Sequence, residues 1–297
     1  MTHKTVLLNE AINGLDIHPG DVLVDCTLGS GGHSEEVCKR FGNTVSILGI
    51  DEDSAAISRT KSRLHDMKCN IQYVQGNFAS IDQILLTLRV SKVDKILMDI
   101  GLSSNQFEES GRGFSFQRDE PLLMTFKESL IEGDLTAREI VNNWDEENIA
   151  TILWGYGQER FSRKIAKAIV ERRKVKPIET TFELVKIIKG STPSSYHHRK
   201  IHPATKTFQA LRITVNNELK NLKKGLSSGF NILNTKGRLA VISFHSLEDR
   251  IVKQFMKERE EKGEGKRITK KPIIPSDEEI SENPRSRSAK LRILLKN

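Results

Sequence analysis

The stretch VDCTLGSGGHSEEV, Val24 to Val37, decides the fold. It reads as an apolar strand ending in an acid, a glycine-rich turn and the start of a helix. That combination suits a nucleotide-like ligand, because glycines let a ligand approach the backbone and a helix N-terminus offers unpaired N–H groups. Counted from Gly29, glycine recurs at Gly31, but Ser34 stands in the last place of a G-x-G-x-x-G fingerprint, so the dinucleotide pattern is incomplete. With Ser34 as the helix cap, Glu35 and Glu36 fall in the first turn, where they suit the helix dipole and repel a pyrophosphate.

Outward from that stretch, the first hundred residues alternate. DVLVDCT (21–27), VSILGID (45–51), IQYVQG (71–76) and KILMDIG (95–101) are short runs rich in Val, Ile and Leu, separated by helical segments. This is the pattern of βαβ units on a parallel sheet. From about residue 106 helical patterns take over. In FSRKIAKAIV, Phe161, Ile165, Ala168 and Ile169 recur at spacings of three and four and predict one apolar stripe. One long helix is expected in PATKTFQALRITVNNELKNLKKGL, then a strand at GRLAVISF (237–244), a helix at LEDRIVKQFMKERE, and strand candidates RITKKPIIP and AKLRILLK, the last antiparallel at the sheet edge. The expected organisation is an α/β core of residues 1–105 and 206–297, interrupted by a helical insertion at 106–205 suited to substrate recognition.

The chain has 297 residues and a formal net charge of +8, from 47 Lys and Arg against 39 Asp and Glu. That balance suits an anionic partner, nucleic acid being the commonest large one, and equally an ordinary lysine-rich surface. No apolar run reaches the ~18 residues of a spanning helix, and the start lacks a signal-peptide pattern, so a cytoplasmic protein is expected. The three cysteines, Cys26, Cys38 and Cys69, suggest neither a disulfide framework nor a zinc site, and are expected to be buried thiols; no metal is expected.

In doubly wound sheets the ligand sits beyond the carboxyl ends of the strands, at the topological switch point. The fragments there are GSGGHS, DED, GNF and DIGLSS. S-adenosylmethionine, which has no phosphate and carries a sulfonium, fits the acidic loop better than a dinucleotide. Asp51, 22 residues after Gly29, is placed to accept hydrogen bonds from ribose hydroxyls, and Phe78 to lie against an adenine. Asp99 ends the fourth strand, where a carboxylate accepting the N–H of an exocyclic amine would localise its lone pair for attack on a methyl. Ser103 and Ser104 are weaker candidates for that acceptor.

A hydrolase reading of SFHSLED fails, because the elbow G-x-S-x-G is absent; Ser246 and Asp249 instead form an S-x-x-D helix start, which leaves His245 able to face substrate. His197, His198 and His202 lack cysteine or paired-acid neighbours and are read as part of a basic loop. The run RFSRKIAKAIVERRKVK (160–176) holds eight Lys or Arg and one acid, a stripe able to track phosphates through Arg163, Lys164 and Lys167, or a solvated helix face.

HKTVLLNEAI, DCTLGSGGHS, MDIGLSSNQFEESGRGFSF, YGQERFSRKIAKAIVERR, HPATKTFQALRITVNNEL, GRLAVISFHSLEDRIVKQF and NPRSRSAKLR together resemble the bacterial MraW/RsmH family over nearly the whole chain. The resemblance implies a class I (Rossmann-like) S-adenosylmethionine-dependent methyltransferase fold with an inserted helical domain. It also implies methylation of N4 of a cytidine in the decoding region of small-subunit ribosomal RNA. It places the cofactor on Gly31, Gly32, His33, Asp51, Phe78, Asp99 and Gln106, of which His33 and Gln106 come from the likeness only. Where the family reads close to RDGPLDMRMD, this chain has RDEPLLMTFK (118–127), with Glu120, Leu123, Thr125 and Lys127 departing from the pattern in a loop expected to contact substrate. Methylation of another amine, in DNA or protein, and a non-methylating RNA-binding or assembly factor are the alternatives; DIGLSS lacks the Pro-Pro-aromatic signature of DNA amino-methyltransferases.

Overall fold

The computed structural model describes residues 4–101, 110–127, 129–198 and 201–297. The chain forms two compact units, Met1–Gly101 with Leu219–Asn297, and Leu102–Glu218.

The first unit is built on a seven-stranded sheet: β1 Val22–Asp25, β2 Ser46–Asp51, β3 Asn70–Gln75, β4 Val93–Asp99, β5 Leu233–Ser243, β6 Gly265–Arg267 and β7 Lys290–Lys296. Their order is β3-β2-β1-β4-β5-β7-β6; β1 to β5 run parallel, and β7 is antiparallel to both its neighbours. AKLRILLK therefore does form an antiparallel strand, but not at the edge. The short β6, which ends on Arg267, the first residue of RITKKPIIP, pairs outside it.

Side chains alternate between two apolar layers, as the two-residue period of a strand requires. Val24, Ile96, Met98 and Val241 face one layer, which includes Leu222, Leu226 and Phe230 of the helix Glu218–Ile232. Leu23, Leu97, Ala240 and Ile242 face the other, with Ala11, Ile12 and Val37 from the helices Leu8–Leu15 and Gly32–Phe41. Burial on both faces explains why the central strands are continuous apolar runs. β3, at the edge, is mostly half-exposed. The chain runs from β1 outward through β2 and β3, then returns to β4 on the other side of β1. That reversal puts the switch point between the carboxyl ends of β1 and β4.

Cys26 is a buried thiol, as expected, but Cys38 and Cys69 are joined in a disulfide, their Cα atoms 5.3 Å apart. Both pack into the layer around Val37 and Ile47. Their 31-residue separation gives no sign of this, because the contact arises only when the helix Gly32–Phe41 and the start of β3 pack together.

The second unit is mainly helical: Ala137–Asn143, Glu146–Gly155, Ser162–Arg173, Thr181–Ser191, Ser194–His197 and Thr205–Val215. Ile165, Ala166 and Ile169 bury the expected stripe of Ser162–Arg173, with Ala166 deeper than Ala168. The helix Thr205–Val215 contributes Phe208, Ala210, Leu211 and Val215 to this unit's core, so the sequence-based boundary at 205/206 falls at 218/219 instead. The single long helix expected there is two. Asn217 stands in the left-handed region at φ 51°, a conformation Asn tolerates because its short side chain bonds locally. The departing loop is folded into the same core: Leu122 and Met124 are fully buried, and the Glu120 carboxylate accepts the N–H of Gly113 at 2.9 Å.

A β-branched residue pays the left-handed penalty that Asn217 avoids. Asn217→Val is expected to lower the stability of the helical unit by about 1–2 kcal/mol, and Asn217→Gly to leave it unchanged or higher, both measured by chemical denaturation.

Candidate functional site

β1 ends at Asp25, and the loop after it turns through Gly29 (φ 51°) and Gly31 (φ 76°) into the helix Gly32–Phe41, whose cap is Gly31 rather than Ser34. The glycines are also demanded by protein packing. A Cβ on Gly31 would overlap the Thr60 side chain, and one on Gly32 would overlap Thr5. Ser34, one turn inside, donates its hydroxyl to Asp25 Oδ2 at 2.7 Å. Glu35 pairs with Lys39 and Arg63, and Glu36 with Arg40, so neither helix acid is free to repel a phosphate. The negative character of the site comes instead from the strand ends.

Asp51 ends β2 and ties it to the glycine loop: Oδ2 accepts the Gly29 N–H at 2.7 Å and Oδ1 the Asp53 N–H at 2.9 Å. Burial pushes its carboxyl up to about 6, against the pull of those two bonds. Asp25 also stands at about 6, raised by burial and pulled back by Ser34 and the Thr27 amide. Asp99 ends β4, its N–H donated to Thr27 Oγ1 at 2.7 Å. Burial, then the charges of Asp25 and Glu248, raise Asp99 to about 7. Its Oδ2 lies 3.9 Å from Nδ1 of the buried His33, and its Oδ1 is buried without a hydrogen-bond partner among the described residues. Phe78 follows β3 in a short turn capped by Asn77, and packs so closely on the helix Glu218–Ile232 that a Cβ on Gly225 would come within 2.5 Å of its ring.

The sheet thus brings Gly31, Gly32, His33, Asp51, Phe78 and Asp99 to one end. Ser103 and Gln106 lie outside the described residues. His245 is itself the cap of the helix Ser246–Glu261, in a capping box with Glu248, whose carboxylate accepts the N–H groups of Phe244 and His245. Asp249, the expected partner of Ser246, is held instead by Arg292 and Lys290. Asp25 was visible as a strand-end acid, the signal that marked Asp51 and Asp99, yet its place in the site was not recognised; Thr27 and Glu248 carry no such mark.

In the helical unit Arg163, Lys164 and Lys167 are exposed. The later cations of the run are committed: Arg173 donates to the carbonyls of Val141 and Trp144, and Lys174 and Lys176 pair with Glu171 and Glu183. Arg163 has no carboxylate partner among the described residues, Lys167 makes no ion pair but its charge helps to lower the Glu171 carboxyl one turn on, and Lys164 lies 6.0 Å from the Phe161 ring. His202 stacks on Phe116 at 4.4 Å, which removes it from a solvent-facing basic loop.

A model of the MraW methylase family matches residues 1–297. The chain belongs to that family. It is 48% identical over 309 residues to a ribosomal RNA small subunit methyltransferase H of Clostridium botulinum (strain Kyoto / Type A2), covering 99% of this chain and 98% of that protein. Proteins of the same name from Brevibacillus brevis and Clostridioides difficile are 44% and 43% identical, each over 306 residues and 98% of this chain, and 96% and 97% of their own lengths. The fold is the class I, Rossmann-like methyltransferase fold, and S-adenosylmethionine is the cofactor. The site fits that group. Three desolvated carboxylates suit a ligand that brings positive charge and hydroxyl donors, and the orphaned Asp99 Oδ1 awaits a donor. No described helix is long and apolar enough to cross a membrane.

A carboxyl whose folded value is raised binds its proton more tightly in the native state, so stability is greatest below the unfolded value and falls as pH rises from about 4 to the folded value near 7. Asp99→Asn removes that loss. Without ligand, the variant is expected to be more stable than wild type by about 1–3 kcal/mol at pH 8 and no more stable at pH 4, by denaturant titration across that range.

Proposed function

We propose that this protein transfers a methyl group from S-adenosylmethionine to N4 of a cytidine in the decoding region of small-subunit ribosomal RNA. The reading is carried by the buried, unpartnered Asp99 Oδ1 at the switch point, in a chain whose relatives are named small-subunit ribosomal RNA methyltransferases. The cofactor supplies an electrophilic methyl on a sulfonium. Gly31 and Gly32 would bring the backbone close to it, Asp51 would accept from its ribose, Phe78 would lie against its adenine, and His33 would stand beside it; Gln106 is assigned to it by the family likeness alone.

The N4 amine of cytosine is a poor nucleophile because its lone pair is delocalised into the ring. Asp99 Oδ1 accepts one N4–H, which localises that lone pair toward the methyl, and a carboxyl with a value near 7 is matched to receiving the proton released on transfer. Most of the acceleration would come from holding the amine in line with the methyl carbon and sulfur. His245 lies on the substrate side of this reading, and Ser103 is a substrate candidate from the sequence only. A stacked or paired cytidine is turned outward to reach the site. Arg163, Lys164 and Lys167 track the RNA backbone, a sequence-independent attraction that weakens with salt.

The test uses small subunits from a strain lacking the enzyme. Wild-type protein is expected to produce N4-methylcytidine in their RNA, seen by mass analysis of nucleosides. Asp99→Ala is expected to lower kcat by about 10²–10⁴ while changing cofactor affinity far less. No new N4-methylcytidine contradicts the function; equal losses in kcat and affinity reduce Asp99 to a binding residue.

A further inference from the structure

Two motifs, SFHSLEDR and NPRSRSAK, are brought together in the sheet unit, and apart from His245 and Glu248 their residues have no part in this chemistry. β5 ends at Ser243, directly opposite Lys290, the first residue of β7. Between the turn that leaves β5 and the turn that enters β7 lies a cavity of about 250 Å³. Its apolar side includes Phe244, Ile274 and Ile280, and Ile274 is 65% exposed. Its polar side includes Ser246, Arg287 and Lys290.

The charges around the cavity are unequal. Lys290 shares Asp249 with Arg292, at 3.1 and 2.7 Å. Glu248 Oε2 accepts the backbone N–H groups of Phe244 and His245, and its Oε1 faces His245 Nε2 at 3.0 Å. Arg287 is exposed and has no hydrogen bond or ion pair among the described residues. An unneutralised guanidinium beside an apolar slot is the chemistry that holds a nucleotide, with the base on the apolar side and the phosphate on the arginine.

The position of the slot matches that use. Asp99 pairs with Ile242 across β4 and β5, two residues before Phe244, and a Cβ on Gly101 would meet the Phe244 ring at 3.3 Å. The slot therefore lies one strand over from Asp99, at the same end of the sheet.

We infer that this cavity is a second nucleotide subsite, taking one unpaired nucleotide of the RNA that flanks the target cytidine, with its phosphodiester on Arg287. The inference rests on the RNA-methylating reading above. It fixes the strand beside the reacting base.

The test compares full-length wild type, Arg287→Glu, Arg287→Lys and Ile274→Asp. The probes are a single-stranded RNA oligonucleotide of decoding-region sequence, titrated at several salt concentrations, and unmethylated small subunits as methyl acceptors. Arg287→Glu is expected to raise KM for the subunits about tenfold and to flatten the salt dependence of RNA binding by roughly one phosphate contact, with cofactor affinity unchanged. Arg287→Lys should keep the salt dependence, and Ile274→Asp should weaken RNA binding with cofactor affinity intact. Wild-type KM and salt dependence in Arg287→Glu overturn the subsite. Wild-type protein that binds the RNA with this Arg287 dependence yet transfers no methyl overturns the proposed function and supports the subsite.

Discussion

Three carboxylates, Asp25 buried and Asp51 and Asp99 half-buried, are drawn together at the carboxyl ends of β1, β2 and β4, and the rest of the sheet unit serves that arrangement. Burial makes their charged forms unfavourable, and all three are raised to about 6 or 7. The site is expensive when empty of positive charge and favourable when a cation and hydroxyl donors enter it. Asp25 is fixed by Ser34 of the following helix and Asp51 by the glycine-loop amide of Gly29, so the loop and the acids position one another. Asp99 is left with one oxygen unpartnered.

Much of this was legible in the sequence because the signals are local. Strands buried on both faces must be apolar throughout, so β1, β2 and β4 announced themselves, and an acid closing each run marked a strand end. What could not be read depends on contacts made at a distance. The Cys38–Cys69 bond joins a helix to the start of a strand 31 residues on. Gly31 and Gly32 were read as room for a ligand, whereas the atoms a side chain would meet there belong to Thr60 and Thr5. The acid-rich first turn suggested a negative loop, but Lys39, Arg63 and Arg40 neutralise it, and the charge that matters sits on the strands. The helix cap at His245 was missed because histidine is a rare cap, and the neighbouring Ser246 offered a commoner pattern.

The helical unit shows the same contrast. Its apolar stripe was visible at helical spacing, while its boundary was not, since the helix Thr205–Val215 carries no mark of which core it joins until Phe208 and Leu211 are seen packed with Leu153 and Ile165. Of the eight cations in the run from Arg160 to Lys176, the structure separates those bound to carbonyls and carboxylates from Arg163 and Lys167. Composition alone treats them as equal.

The central claim is that a cationic donor binds against carboxyls raised by burial. Calorimetric titration of S-adenosylmethionine into the full-length protein, at pH 5.5 to 7.5 and in buffers of different ionisation enthalpy, tests it directly. A cation stabilises the charged carboxylates and lowers their values, so binding should release protons near pH 6–7, and affinity should rise across that range and level off above it. Affinity that is flat or falls with rising pH, with no proton release, would contradict the account.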